Sequence, residues 1–380
     1  MKLCIFPNDP LIAYFEKGEI KDRYYNPGNF FDEIHFITLI EKDVEPTKVQ
    51  SLVGSAKIII HPVGKITIKD RKKHLPRIIE ICKKINPDVI RSFNPLIEGW
   101  LAAKCAESLK KPFFVSLHTQ YDHNRKLARK NLKKFLALKY TEKMIEPYVL
   151  KSADKISIVY KIIETYVEKH TKNKPELIYN KVDCKKFLDA EKMEGLKHPL
   201  ILSVGNLISV KNHDIIIRSM KEIDANLLII GNGELYSSLN QLIHELNLER
   251  KVSIMKSVPH KDIQKYFKTA DVFALAYNSE VESLPMPVME AMASGLPIVI
   301  PYPKKGFSEG LEETVVFSEM TSNDFSKNIK KILTYTKLAQ RLSENAKIKS
   351  FEYDIQKNES KEAKIYQELI QNRNGHKLLK

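Results

Sequence analysis

Glu282-Ser-Leu-Pro285-Met-Pro287-Val-Met-Glu290-Ala-Met-Ala-Ser-Gly295-Leu-Pro297 is the stretch from which the rest of the chain can be read. Pro285 and Pro287 lack the backbone N–H that a helix interior uses, which puts Glu282 on a loop. Proline suits a first helical turn, so Pro287 opens a helix. Gly295, with Pro297 just beyond, closes it. Glu290 then lies about one turn inside a helix whose N-terminus faces the Glu282 loop. Unsatisfied N–H groups and the macrodipole make such an end an anion site. Carboxylates on either side suit neutral hydroxyls. Phosphates at the helix end and sugar hydroxyls on the two glutamates together describe a nucleotide-sugar. An ordinary capped helix before a buried strand would share the caps, but not the paired glutamates and prolines in this order.

Outward from this stretch, the second half alternates short apolar runs with helical patterns. The runs are 200–204, 227–230, 252–255, 272–275, 298–300 and 315–317, and the helices between them lie near 212–222, 234–246, 261–269 and 287–294. This is the pattern of an α/β parallel sheet covered on both faces, which binds ligands at the carboxyl ends of its strands. The first half is similar but less regular. Strands are expected at 3–6, 36–40, 58–60, 89–90, 113–117 and 156–159, and helices at 72–85, 96–109 and 125–150. Two α/β units follow, with a junction near 180–198.

Composition sets outer limits. A chain of 380 residues suits two domains. The net charge of +15 favours a polyanionic neighbour: anionic lipid, nucleic acid or an anionic substrate. Lysine-rich solvated helix faces account for the charge equally well. No apolar run is long enough to span a bilayer, and Met1-Lys-Leu-Cys-Ile-Phe does not read as a signal peptide. Cys4, Cys82, Cys105 and Cys184 form no paired motif. They read as buried free thiols in a reduced cytoplasmic compartment, without zinc or disulfides.

The quoted stretch resembles the paired-glutamate motif of family 4 glycosyltransferases, retaining enzymes whose two Rossmann-like domains face a cleft in the GT-B architecture. The resemblance spans roughly 90–320 and is sharpest at 200–300. It implies an acceptor-side domain over 1–185, a nucleotide-sugar domain over 196–345, and terminal helices over 346–380 that cross back to the first domain. In the family, a loop after the first strand of the second domain carries Gly-Arg and a later Lys, which clamp the diphosphate. Gly205 and Lys211 match, whereas Asn206 replaces the arginine with an uncharged donor. Gly231-Asn-Gly233 resembles the family's Gly-Asp-Gly turn. Val258 stands where backbone groups meet the nucleobase. Ser283, Leu284, Pro285 and Met286 follow Glu282 into the helix, and Pro285 replaces a glycine whose N–H would approach phosphate. His118 matches a loop histidine near the transferred sugar. By this resemblance Glu282, His118 and Lys211 are the catalytic candidates and Glu290 holds ribose hydroxyls. No metal and no cofactor are expected, because the chain lacks Asp-x-Asp and the nucleotide-sugar is itself a substrate.

Other features belong to this chain alone. His118 could share a proton with Asp122, whereas His123 reads as a solvated loop residue. Only Gly18 stands where relatives carry a Gly-Gly loop, so the acceptor side departs most. The aromatic run Tyr24–Phe31 reads as core packing or as a sugar wall. Residues 124–139 form a basic amphipathic helix in which Leu127, Leu132, Phe135, Leu136 and Leu138 interleave with Lys and Arg. Such a helix packs its leucines on the sheet, or lies on an anionic membrane and meets a lipid-linked acceptor. The expected partners are therefore a nucleotide-diphosphate-sugar, a glycan or lipid-linked acceptor, and an anionic membrane surface at 124–139, but not nucleic acid. The expected location is cytoplasmic, at most peripheral to the membrane. The alternatives are an inactive nucleotide-sugar binder and a polyanion binder. A phosphorylase of the same architecture would need a pyridoxal lysine site that the chain does not show.

Overall fold

The computed structural model describes residues 1–18, 20–259 and 262–378. It resolves into two compact units, residues 1–179 with 358–380, and residues 180–357. The first is built on seven strands: β1 (Lys2–Phe6), β2 (Glu33–Thr38), β3 (Lys57–Pro62), β4 (Val89–Ser92), β5 (Phe113–Leu117), β6 (Lys155–Ile158) and β7 (Glu176–Leu177). They pair in parallel in the order β3-β2-β1-β4-β5-β6-β7. The second holds β8 (Leu200–Val204), β9 (Asn226–Ile230), β10 (Val252–Met255), β11 (Val272–Ala274), β12 (Ile298–Pro301) and β13 (Val316–Ser318). Its order is β10-β9-β8-β11-β12-β13, again parallel. Each sheet is therefore a doubly wound α/β layer whose central strands are buried on both faces. Phe113–Leu117 is buried at every position, which is why it reads as one apolar run with no alternation.

The helix Ile355–Leu378 begins in the second unit and passes into the first. Arg91, near the end of β4, holds its later turns. The buried guanidinium donates to Glu362, to Tyr366 Oη at 2.6 Å and to Ser116 Oγ at 2.8 Å. It also lies over the rings of Phe93 and Phe114, at 4.2 and 4.7 Å from their centroids. A buried cation with several donors satisfied and two aromatic faces against it is stable only while its carboxylate remains.

The first half differs from the sequence expectation in three places. Residues 11–17, read as loop, form a helix (Leu11–Lys17) whose first N–H groups are taken by Asp43 at 3.1 and 2.6 Å. Asp43 lies 32 residues downstream of Leu11, so no local capping signal announces that helix. Gly18 ends the same helix in the left-handed region, at φ 66°. Second, the expected strand 36–40 runs instead over Glu33–Thr38, paired with β1 from Lys2 onward. Third, the expected helix 125–150 falls into four helical pieces, Tyr121–Leu127, Ala128–Lys130, Leu132–Met144 and Glu146–Ser152, and Asn131 caps the third by accepting from Lys134 N. The basic helix expected over 124–139 is thus broken at Asn131, and the side chain of Leu127 lies outside the described residues. Lys261, the expected first residue of another helix, also lies outside them, and that helix runs over Ile263–Thr269. The aromatic run is core: Tyr25 and Phe31 are fully buried, and Tyr25 packs edge-on against Phe36 and Phe93. All four cysteines are buried and free.

Replacing Glu362 by Ala strands the Arg91 guanidinium inside the first unit. Loss of one partner from a buried pair costs ~3–5 kcal/mol. Urea unfolding of Glu362→Ala is expected to show a fall of that order, and an unchanged midpoint would show that the pair does not hold the helix.

Candidate functional site

The carboxyl ends of β8, β9 and β11 bring most of the sequence candidates into one neighbourhood of the second unit. After β8, the chain turns at Gly205 and Asn206 and runs to Lys211, just ahead of the helix His213–Ser219. After β9 comes Gly231-Asn-Gly233. The two turns interlock through backbone: Leu207 N donates to Asn232 O at 2.9 Å, and Leu235 N to Leu207 O at 3.0 Å. The glycines are required by this close approach. A Cβ on Gly231 would stand 1.9 Å from Gly205 O, and one on Gly233 would stand 2.5 Å from Leu207 O.

Lys211 is buried, with its side chain 9% exposed, and its ammonium is 2.5 Å from Glu282 Oε2. It is therefore not a solvated lysine at a helix start. Two further bonds tie the loops that carry the pair. Asn278 N donates to Val210 O at 2.8 Å, and Asn212 Nδ2 to Ala276 O at 2.9 Å. Asn212 adopts the left-handed conformation, φ 43°, which turns the chain between Lys211 and the helix. The pair is thus held by main chain on both sides and does not depend on the reach of two flexible side chains.

Beyond Glu282 the loop is anchored from beneath. Ser283 is buried and donates to Glu309 Oε1 at 2.7 Å, while Tyr277 Oη donates to Ser283 O at 3.0 Å. Leu284 and Pro285 are buried. The helix runs over Met286–Ala293 with Pro285 as its N-cap, so it opens one residue before Pro287. Pro285 carries no N–H and no side-chain oxygen, so it caps nothing. The helix closes with Gly295 N bonded to Met292 O and Leu296 N to Ala291 O. Glu290 lies one turn inside, half-buried. Asn206 is exposed at the Gly205 turn, and Val258 is half-buried in the loop after β10.

His213 was legible in Lys211-Asn-His yet received no role, because a histidine two residues after a lysine carries no signature of its own. It is buried beneath the Gly205 turn. Its Nδ1 is 3.3 Å from Ser203 Oγ, and Nε2 has no hydrogen-bond partner among the described residues. Burial, then the neighbouring Lys211 charge, push its pKa down to about 4.

His118 belongs to the first unit, just past β5, where it is half-buried and stacks on Phe93 with centroids 5.4 Å apart. Asp122, its expected proton partner, is paired with Arg125 and Lys169. Desolvation opposes the charge on Asp122, but those two cations keep its carboxyl below the usual range. His123 is buried, not solvated. Among the described residues, no group of three or more His, Cys, Asp or Glu is placed to hold a metal ion. No described helix is long and apolar enough to cross a membrane.

Two family models match the chain. Glycosyltransferase Family 4 covers residues 32–186, and Glycosyl transferases group 1 covers residues 185–349. Among curated relatives, an N-acetylgalactosamine-N,N'-diacetylbacillosaminyl-diphospho-undecaprenol 4-alpha-N-acetylgalactosaminyltransferase of Campylobacter jejuni is 31% identical over 188 residues, 48% of this chain and 50% of its own. The chain thus spans about half the length of that relative, and 49% of an uncharacterized glycosyltransferase from Haemophilus influenzae. An uncharacterized glycosyltransferase of Methanocaldococcus jannaschii is 25% identical over 74% of this chain and 76% of its own. Among solved structures, a glycosyltransferase from Rickettsia africae superposes with TM-score 0.73 at 18% identity, covering 98% of each chain. Anabaena HepE in complex with UDP and glucose gives 0.73 at 14%, covering 97% of this chain and 100% of that one. The family matches meet end to end, each on its own parallel sheet, and the protein belongs to the family 4 glycosyltransferases with the GT-B fold.

Proposed function

We propose that the chain transfers a sugar, with retention of anomeric configuration, from a nucleotide-diphosphate-sugar to a hydroxyl acceptor. The observation that carries this reading is the pairing of buried Lys211 with half-buried Glu282 at the strand ends, just ahead of the helix Met286–Ala293. A buried ammonium gains most from an anion that arrives without water, and the leaving diphosphate is such an anion. Lys211 and the helix N-terminus neutralise its developing charge. Glu282 keeps its second oxygen for a hydroxyl of the transferred sugar, and Glu290 takes the ribose hydroxyls. Asn206 donates a hydrogen bond where an arginine would add charge. The bond from the anomeric carbon to the diphosphate breaks as the acceptor oxygen approaches on the same face. The acceptor's proton passes to the departing diphosphate oxygen, so no protein nucleophile is needed. No resident metal enters any step.

The relatives support the donor class, since Anabaena HepE is held with UDP and glucose. They also support a carrier-linked or glycan acceptor, since the Campylobacter relative's name specifies a diphospho-undecaprenol substrate. Both are extensions to this chain. A catalytically silent nucleotide-sugar binder is the second reading, favoured by Asn206 and Pro285 in place of a charged and an N–H donor.

A thermal-shift screen of nucleotide-diphosphate-sugars tests the donor site. A ligand at a hundredfold its dissociation constant stabilises by ~2.7 kcal/mol. One nucleotide series is expected to raise the melting temperature of the native chain and not that of Glu290→Gln. No shift with any nucleotide would remove the reading, and binding without transfer would leave the silent binder. Product analysis by proton NMR should show the donor's own anomer, and an inverted product overturns the same-face mechanism. His213 adds a pH dependence. Between its ordinary pKa of 6.5 and about 4, the unfolded chain binds a proton that the folded ring refuses. Stability is therefore lost as pH falls through that window, by up to about 3 kcal/mol from this one group. Denaturation of His213→Gln across the same range should show a shallower fall than the native chain, and parallel curves would contradict the assignment.

A further inference from the structure

The helix Leu132–Met144 in the first unit has two apolar sides. Its inner side packs: Thr141 is buried and donates to Glu146 Oε1 at 2.8 Å, while Phe135 and Leu138 are half-buried. Its outer side presents exposed apolar side chains, although Tyr140 also accepts from Arg71 Nη2 at 3.1 Å through its hydroxyl. Leu132, Leu136, Tyr140 and Met144 are 68, 57, 41 and 55% exposed. Spaced four apart, they stack over successive turns as one stripe. They make up four of the twelve large hydrophobic side chains exposed among the described residues, concentrated on one helix. Single exposed hydrophobics are ordinary, but a contiguous row marks a surface that something covers. Only Leu132 and Leu136 of this row belong to the apolar set read from sequence. Phe135 and Leu138 face the protein instead, and Tyr140 and Met144 complete the row.

The charge around the stripe identifies its occupant. At 100° per residue, Lys133, Lys139 and Lys143 fall on the same side, and all three are exposed. The helix contains one acid, Glu142, which is occupied by Arg125 Nε at 3.5 Å and Lys139 Nζ at 2.8 Å. Lys126 and Arg129, both exposed, extend the positive field N-terminally. Arg125 does not contribute, because it is buried against Glu146 and Asp122. Leucine, tyrosine and methionine in a lysine frame, presented by one helix, suit an anionic bilayer. The apolar row enters the acyl boundary, while the lysine stems lie along it with their ammonium groups at the headgroups. A second copy of this chain is a poor occupant, since it would set lysine against lysine.

We propose that the outer face of Leu132–Met144 docks the first unit on an anionic lipid surface, with Leu132, Leu136 and Met144 inserted and Lys133, Lys139 and Lys143 paired with lipid headgroups. This does not depend on the transferase reading, because none of these residues belongs to the donor site.

The test is co-sedimentation of the full chain with vesicles of phosphatidylcholine and phosphatidylglycerol, against vesicles of phosphatidylcholine alone. Two variants accompany it, Leu132→Ser/Leu136→Ser and Lys133→Gln/Lys139→Gln/Lys143→Gln. All five positions are exposed, so melting temperatures should match the native chain and report an intact fold. The native chain is expected to sediment with the anionic vesicles only, and less so at high salt. Each lysine near an anionic surface contributes roughly a factor of five, so the lysine variant should bind on the order of a hundredfold more weakly. The serine variant should also lose binding. A native chain that stays in solution with anionic vesicles overturns the proposal, as does equal binding by either variant. A concentration-dependent dimer that Leu136→Ser dissociates, without vesicle binding, would also overturn it and assign the face to a second copy.

Discussion

A lysine taken out of water must bring its counter-charge with it, and Lys211 does so through Glu282. The rest of the site follows from holding those two charges together. The strand ends of β8 and β11 place their loops side by side, and bonds from Asn278 and Asn212 fix the spacing through main chain. The glycines at 231 and 233 let the neighbouring turns approach closely enough for that arrangement. Ser283 and Tyr277 hold the far side of the Glu282 loop against the buried Glu309. The ion pair is thus preorganised, which is what an electrostatic site needs if it is to act on a charge that appears only as a bond breaks.

A part-buried pair of this kind contributes little to stability, because desolvation offsets the attraction. Its retention makes more sense as function. In the resting site Glu282 neutralises Lys211. In the proposed function, an arriving diphosphate gives Lys211 a second anionic neighbour and leaves the other oxygen of Glu282 to accept from a sugar hydroxyl. His213 strengthens the point from below. Kept neutral by burial and by the nearby ammonium, it adds no competing positive charge beneath the Gly205 turn.

The sequence was informative where function is local in the chain. The strands of the second unit, the two glycine turns, the helix with its Gly295 stop and the Glu282–Glu290 spacing are all encoded within short windows. It was uninformative where partners lie far apart. Asp43 caps a helix 32 residues upstream, Arg91 meets Glu362 across 271 residues, and neither carboxylate carries a local signal. The basic stretch at 124–139 shows the same limit. Composition showed cations and leucines, but Asn131 divides the helix and the tertiary fold decides which leucines face inward. Pattern also missed that Arg125 and His123 are buried, since both belong to a polar run, and the partner that buries Arg125, Glu146, lies 21 residues on.

The central claim is that the Lys211 charge is there for a diphosphate. Titration calorimetry of a nucleoside and its diphosphate into the native chain and Lys211→Met tests it directly. The account predicts that the native chain binds the diphosphate far more tightly than the nucleoside, and that most of this advantage disappears in Lys211→Met while nucleoside binding persists. An advantage that survives the substitution intact would contradict it.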